Sequence, residues 1–426
     1  MSLLIRKYNI KSANFGDRWD IEGPKLTLNK EELLKIAEQA SEIRNVEVEL
    51  AFPGEQTRII NALDSVAPIT KPRNGSGVFP GFLSPLQTVG FGVTHLLSGV
   101  LVLAIGEFPQ QVQGVLSPRL GLIEMGGPGT RYSAGSDHIN LVLSFSASPA
   151  MSNDLFAQGI RKATLTTAKI LADLTLTREP DDIEEYDLSS SYHDLPRVAC
   201  ICQLQNQGPL VETFLYGSEL GRMLPTAMDP LETFDGAIVS GNFKGFMKIP
   251  THLHSRNPVM LELCRKHGKE LNFVALIVSR GHHESYELKA RSAHRVAKLA
   301  KLLRCDGAVL SMEGTGNATI DYMLTLQACE REGIRVVGII HEHSGLDGRG
   351  FPLVDFVPEA TTLVSSGNKD FPIFLPTPER VIGAEWLKLA GRNDPVEASD
   401  SLSVTVNDMY GSYQAMAMNG FKGFDF

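Results

Sequence analysis

The sequence predicts an α/β protein: a β-rich mixed N-terminal domain followed by an open, mostly parallel α/β sheet domain. Apolar runs of strand length at 273–278, 307–311 and 335–340 alternate with helical patterns. Strands buried on both faces have near-continuous apolar sequences, and connecting helices favour parallel pairing with right-handed crossovers. Shorter alternating stretches between glycine- and proline-containing turns predict the first domain.

The N-terminal domain is expected over residues 1–180. Strands are predicted at 3–10, 46–50 and 138–145 from their alternating or apolar patterns. Asn29 is expected to cap a short helix, and Ser152 or Asn153 a long helix that reaches about Leu174.

An acidic, serine-rich stretch at 181–192 is interpreted as an exposed linker. Residues 193–242 contain predicted strands, and the last of them runs into the turn Ser240-Gly-Asn242. The C-terminal α/β domain is expected over 243–390, with helices at 289–303 and 318–331, and a tail over 391–426.

Composition excludes several classes of function. The net charge of -9, without a run of basic residues, argues against nucleic acid or an anionic membrane as a partner. The start of the chain is too short an apolar run for a signal peptide, and the apolar stretch at 96–105 is too short to span a bilayer. The five cysteines lack zinc-type spacing, so we expect buried, reduced thiols in a cytoplasmic protein.

Several motifs in the same order resemble one known family over about residues 45–385. They are Pro53-Gly-Glu-Gln-Thr-Arg, Phe79-Pro-Gly-Phe-Leu, Thr94-His95, Asp235-Gly-Ala-Ile-Val-Ser-Gly-Asn242, Glu313-Gly-Thr-Gly-Asn317 and Glu342 with Gly345-Leu-Asp347-Gly348. The family is the precursor subunit of component B of the glycine/sarcosine/betaine reductases. The resemblance implies a complex with a second component B subunit that carries a selenocysteine or cysteine.

The resemblance also implies self-cleavage of an Asn-Cys bond, which creates a pyruvoyl group that forms a Schiff base with the substrate. Here Asn242 is followed by Phe243. A phenylalanine side chain has neither the nucleophile for cleavage nor the leaving group for elimination. We therefore expect an intact chain without pyruvoyl, in a divergent member of the family.

Polar loops follow the three predicted parallel strands, where ligands bind in open α/β sheets. Position and resemblance together make Glu313, Glu342 and Asp347 the candidate catalytic residues. Candidate substrate-binding residues are Asn242, Asn317, Arg280 and His95. Each also has a structural reading, such as charge at a helix N-terminus for Glu313 and turn formation for Glu342.

Histidines near these loops suggest a divalent zinc, iron or manganese site, with His341, His343, His254 and His283 as candidate ligands. On a strand end, His341 and His343 would point to one side, and the same is expected of His252 and His254. The alternative is that these loop histidines are solvated or hydrogen bonded locally, because no fixed-spacing metal motif is present.

Two functions from different classes remain. In the first, the chain is a catalytic subunit acting on a small amine or amino-acid-like substrate, with a metal replacing the carbonyl in lyase or hydrolase chemistry. In the second, it is a non-catalytic scaffold that positions a thiol- or selenol-bearing partner subunit.

Overall fold

A computed structural model describes residues 2–72, 77–110, 121–207, 211–243, 248–389 and 394–412. In this part of the chain the helices are α1 Lys30–Ser41, α2 Asn153–Asp173, α3 Thr251–Ser255, α4 Pro258–Lys266, α5 Tyr286–Leu302 and α6 Asn317–Arg331. The strands are β1 Leu3–Asn9, β2 Ser12–Phe15, β3 Asp20–Glu22, β4 Lys25–Leu28, β5 Asn45–Ala51, β6 Thr57–Val66, β7 Ile69–Thr70, β8 Gly92–Ser98, β9 Val100–Glu107, β10 Gly121–Glu124, β11 Ile139–Ser146, β12 Asp182–Tyr186, β13 Arg197–Gln205, β14 Val211–Leu215, β15 Ser218–Glu219, β16 Thr226–Met228, β17 Ile238–Asn242, β18 Asn272–Gly281, β19 Gly307–Met312, β20 Arg335–Glu342, β21 Leu363–Asn368, β22 Pro372–Leu375, β23 Arg380–Ile382, β24 Trp386–Leu387, β25 Val396–Glu397 and β26 Leu402–Thr405.

Two sheets dominate the N-terminal part. One has the order β12-β1-β8-β7, and the other has the order β10-β6-β9-β11-β5, with β23 added beside β6. Local sequence sets the helix starts as predicted: the Asn29 side chain accepts the Glu32 N–H at 3.1 Å, and Ser152 Oγ accepts the Leu155 N–H at 3.2 Å. The mixed, β-rich character of this region therefore agrees with the prediction.

The predicted parallel sheet is present, with the order β16-β18-β13-β19-β20-β21. Its strands pair in parallel except the edge strand β16, which is antiparallel to β18. Helices α5 and α6 contribute to the core on one face, while residues of α4 join the larger N-terminal core with the other face. The central strand β13 precedes Asn242, so the sheet contains segments from both sides of the expected boundary.

The expected linker and tail take part in the fold where they are described. Within 181–192, β12 pairs antiparallel with β1, and Lys7 forms an ion pair with Glu184. Tyr410, in the expected tail, is buried against the N-terminal part, whereas 413–426 lie outside the described residues. The five cysteines are free and buried, as expected. No helix in the described ranges has the length and apolar character needed to cross a bilayer.

Arg58 of β6 binds the C-terminal segment at residues 376–400 through hydrogen bonds. Its side chain is fully buried, Nε lies 2.5 Å from Glu124 Oε1, and Nη1 and Nη2 donate to the carbonyl oxygens of Ala398, Asp400 and Pro376 at 2.6–2.9 Å. Burial raises the pKa of Glu124, while Arg58 acts in the opposite direction. The guanidinium thus neutralises a buried carboxylate and satisfies three carbonyl groups.

Replacing Arg58 with methionine is expected to lower the free energy of unfolding by about 3–5 kcal/mol, because a buried carboxylate loses its counter-ion. Denaturant titration measures this change. Arg18→Met is the matched control, since Arg18 is 84% exposed and lies 3.6 Å from Asp20, and should cost about 1 kcal/mol or less. Equal, small losses in both variants would contradict this role for Arg58.

Candidate functional site

Polar side chains from separate segments meet beside the turn at Asn242 and Phe243. All of them are buried, and a cluster of buried polar side chains that includes several ionisable groups is unusual. We call this cluster the buried centre, and it consists of Asp64, Ser65, Lys248, Thr251, His252, His254 and Glu313.

Asp64 organises one side of the buried centre. Its Oδ1 accepts the Thr251 N–H at 3.0 Å, and its Oδ2 accepts the Thr251 hydroxyl at 2.6 Å. Thr251 Oγ1 in turn accepts the N–H of Ser240 in β17 at 2.9 Å. The Nζ atom of Lys248 lies 3.4 Å from Asp64 Oδ1. The carboxylate therefore connects β6, β17 and α3.

Lys248 supplies the amine of this cluster. Its side chain is fully buried, and Nζ lies 5.0 Å from the ring centroid of Phe243 and 5.6 Å from that of Tyr410. Burial lowers the pKa of Lys248 to about 8, although Asp64 opposes the shift. A substantial fraction of the amine is then neutral near pH 8, and a neutral amine can accept a proton or attack an electrophile.

Glu313 occupies the other side of the buried centre, at the end of β19. Its Oε2 accepts the Gln205 N–H at 2.7 Å and the Thr213 hydroxyl at 3.0 Å, and its Oε1 accepts the Ile249 N–H at 3.1 Å. His254 Nε2 lies 3.4 Å from Oε1. These contacts hold the carboxylate in one orientation.

His252 and His254 point to different sides, so the expectation that they share a face is wrong. They lie on the short helix α3, not on a strand, and helical residues two apart project in different directions. His252 Nδ1 is 2.8 Å from Ser65 Oγ, which lies 2.9 Å from the Tyr410 hydroxyl. Burial lowers the pKa of His252 to about 3, so its ring is neutral.

Phe243 is packed into the buried centre. Its ring is 1% exposed and lies 5.6 Å from the ring of Phe108 and 5.9 Å from the Arg161 guanidinium carbon. Burial lowers the pKa of Arg161 to about 10, with Glu212 opposing. The side chain of Asn242 is outside the description, whereas its backbone ends β17 opposite Val211.

His341 and His343 do come together, as expected, with ring centroids 5.1 Å apart. Their Nε2 atoms lie 3.3 Å and 2.7 Å from Thr315 Oγ1. Burial lowers the pKa of His341 to about 3 and that of His343 to about 4, so both rings are neutral. The other candidate ligands are elsewhere, since His254 lies at Glu313 and His283 Nδ1 is 2.6 Å from Asp321.

No group of three or more His, Cys, Asp or Glu residues is arranged to hold a metal ion in the part of the chain that the structure describes. The two imidazoles near Thr315 therefore provide at most part of a coordination sphere.

The remaining predicted catalytic residues lie outside the buried centre. Glu342 accepts hydrogen bonds from the hydroxyl groups of Ser344, at 3.0 Å, and Ser365. Asp347 is exposed in a turn, where its Oδ1 accepts the Arg349 N–H at 3.1 Å. These contacts match the turn-forming interpretation of Glu342.

The predicted substrate-binding residues are engaged locally. Arg280 pairs with Glu284 and donates to the Gly221 carbonyl at 2.6 Å. Asn317 Nδ2 donates to the His283 carbonyl at 3.2 Å. His95 Nδ1 lies 3.0 Å from both the Tyr8 and Thr175 hydroxyl oxygens, and is buried in the N-terminal part. The structure does not bring these three residues together with Glu313.

Sequence reasoning missed Asp64, Lys248 and Tyr410. They come from distant segments, so no spacing pattern relates them. Asp64 does not stand out in the sequence either, because Thr57, Arg58, Asn61 and Ser65 are also polar in a strand whose ten residues are all buried. A carboxylate in such a strand requires a buried partner.

Comparisons with known proteins agree with the motifs. A sequence model of the family described as glycine/sarcosine/betaine reductase component B subunits matches residues 1–423. In Peptoclostridium acidaminophilum, the glycine reductase complex component B subunits alpha and beta are 33% identical over 392 residues, covering 90% of this chain and 89% of the relative. The sarcosine reductase complex component B subunit alpha of the same organism is 34% identical with the same coverage. Its betaine reductase complex component B subunit alpha is 32% identical, covering 90% of this chain and 88% of the relative. No solved structure matches the chain.

The lowered pKa of Lys248 predicts a pH-dependent cost of burial. Because the folded-state pKa of about 8 lies below the ordinary 10.5, folding carries a cost at pH below both values. This cost disappears as the pH rises from about 8 to above 10.5. The free energy of unfolding of Lys248→Met minus that of the parent protein should therefore be about 2.5 kcal/mol larger at pH 7 than at pH 10.

Denaturant titrations at both pH values measure this difference. Lys298→Met is the control for the loss of a surface lysine, because Lys298 is 63% exposed, and its change between the two pH values is the baseline. If the stability difference of Lys248→Met changes no more between the two pH values than that of the control, the buried amine has an ordinary pKa.

Proposed function

Because the chain belongs to the glycine/sarcosine/betaine reductase component B family, we propose that it is an unprocessed catalytic subunit of a related enzyme complex in the cytoplasm. This subunit contains no pyruvoyl group and acts on a small amine or amino-acid derivative. The observation that carries the proposal is Phe243, buried against Lys248 where the family resemblance implies a cysteine.

Lys248 supplies the chemistry that this proposal needs. Its neutral amine is available near pH 8, and Asp64 lies close enough to stabilise the protonated form. The pair can therefore take a proton from a substrate and hold it, which is general base catalysis. Glu313 fixes the backbone on the other side of the centre and acts as a positioning residue.

A metal-assisted version of the proposal places one zinc, iron or manganese ion at His341 and His343, for C–N lyase or hydrolase chemistry. Neutral imidazoles suit these ions, while a partner chain or solvent completes the coordination.

Elemental analysis of the chain, purified without chelators, tests the metal. About one equivalent should be present and should be lost when both histidines are changed to alanine. His193→Ala, at an exposed position, is the control. The absence of metal from the parent protein would remove this version.

A second candidate function, a non-catalytic scaffold, is favoured by an exposed apolar surface. Leu346 is 68% exposed, Phe351 92% and Phe374 65%. The segments that carry them are joined because Asn368 Nδ2 donates to the Gly345 carbonyl at 2.8 Å and the Gly345 N–H donates to Asp370 at 3.2 Å. Exposed apolar residues on adjacent segments fit the docking of a partner subunit.

Turnover with a second component B-like subunit separates the two functions. Glycine, sarcosine and betaine, the compounds in the relatives' names, are the first substrates to test. Release of ammonia, methylamine or trimethylamine is measured with and without a dithiol. Lys248→Met should lower kcat at least about 100-fold, the usual contribution of a general base, whereas Lys298→Met should not change it.

Turnover that requires the partner but survives Lys248→Met would favour the scaffold. No amine release from any of the three compounds would contradict the catalytic proposal for this substrate class.

A further inference from the structure

A cavity of about 190 Å³ lies between the β8–β9 connection and helices α3 and α4. Most of its wall is aliphatic, from Leu96, Leu97 and Leu101 on one side and Leu253 and Leu261 on the other. Arg256 and His252 also line it. An aliphatic cavity of about 150 Å³ is large enough for a ring of six carbon atoms, so this one has room for a ligand of about six heavy atoms.

Arg256 is the unusual member of this wall. Its Nε and Nη2 atoms are buried, and neither has a hydrogen-bond partner within the described residues. The guanidinium carbon lies 5.6 Å from the Phe234 ring centroid. Burial lowers the pKa of Arg256, with Tyr186 and Glu184 opposing. Buried polar atoms in native proteins almost always have partners, so two guanidinium nitrogen atoms without partners, in a residue that lines a cavity, point to a missing acceptor.

The other charged groups at the cavity are already engaged. Glu184 receives a hydrogen bond from the Tyr186 hydroxyl at 2.9 Å and pairs with Lys7. Arg265 lies 3.7 Å from Glu262. Glu184 therefore offers little to a cationic ligand, whereas Nε and Nη2 of Arg256 still lack hydrogen-bond partners.

We propose that this cavity is a binding site for a short aliphatic carboxylate, whose charged end binds Arg256 and whose alkyl part packs on the leucine side chains. A guanidinium matches the two oxygen atoms of a carboxylate. The aliphatic walls favour an alkyl chain over an inorganic anion, because burying a doubly charged ion there lacks compensating contacts. The site is separate from Lys248, although His252 borders both, and does not depend on the proposed function.

Calorimetric titration of the full chain with three probes tests the site. Butyrate has both required parts, 1-butanol has the alkyl chain without the charge, and inorganic phosphate has only the negative charge. Butyrate should bind at least about tenfold more tightly than either. Arg256→Gln should weaken butyrate binding at least about tenfold, as expected when a charge-assisted hydrogen bond is lost, while Arg18→Gln leaves it unchanged.

A second variant tests the cavity in case Arg256→Gln does not fold. Leu261→Trp keeps the guanidinium and fills part of the cavity, so it should also weaken butyrate binding at least about tenfold. Thermal unfolding establishes that each variant is folded. Undetectable butyrate binding, equal binding of phosphate, or unchanged affinity in folded Arg256→Gln would each overturn the proposal.

Discussion

The carboxylate of Glu313 is the constraint on which the centre of the molecule depends. It is 1% exposed and directly follows β19, yet its partners belong to β13, β14 and the segment that follows Phe243. One side chain thus holds the parallel sheet against the turn at Asn242 and Phe243. Because a buried carboxylate without donors is strongly unfavourable, its hydrogen bonds hold these segments together.

Much of the fold was predictable because its signals are local. The apolar runs identified β18, β19 and β20, and the capping residues Asn29 and Ser152 fixed the starts of α1 and α2. The insertion of β13 between β18 and β19 was not predictable, since strand order depends on packing between distant segments. The same limit applies to the site: Glu313 was identified by a local motif, but Asp64 and Lys248 are far apart in sequence and meet only after folding.

The packing of Phe243 affects the amine of Lys248 beside it. The Phe243 ring packs against Lys248 and Arg161, and this packing helps to keep water away from the amine. The same burial lowers the pKa of Lys248 to about 8. In the proposed function, Phe243 supplies no carbonyl group, and the amine of Lys248 lies beside its ring.

The central claim is that this subunit works as one uncleaved chain with Phe243 intact in the buried centre. Intact-mass spectrometry of the protein, purified with its partner subunit, tests it most directly. The account predicts that this chain gives one species near 46.5 kDa, beside the partner, and that this species does not react with a hydrazine reagent for carbonyl groups. Two fragments that meet between Asn242 and Phe243, or a hydrazine-reactive N-terminus, would contradict the account.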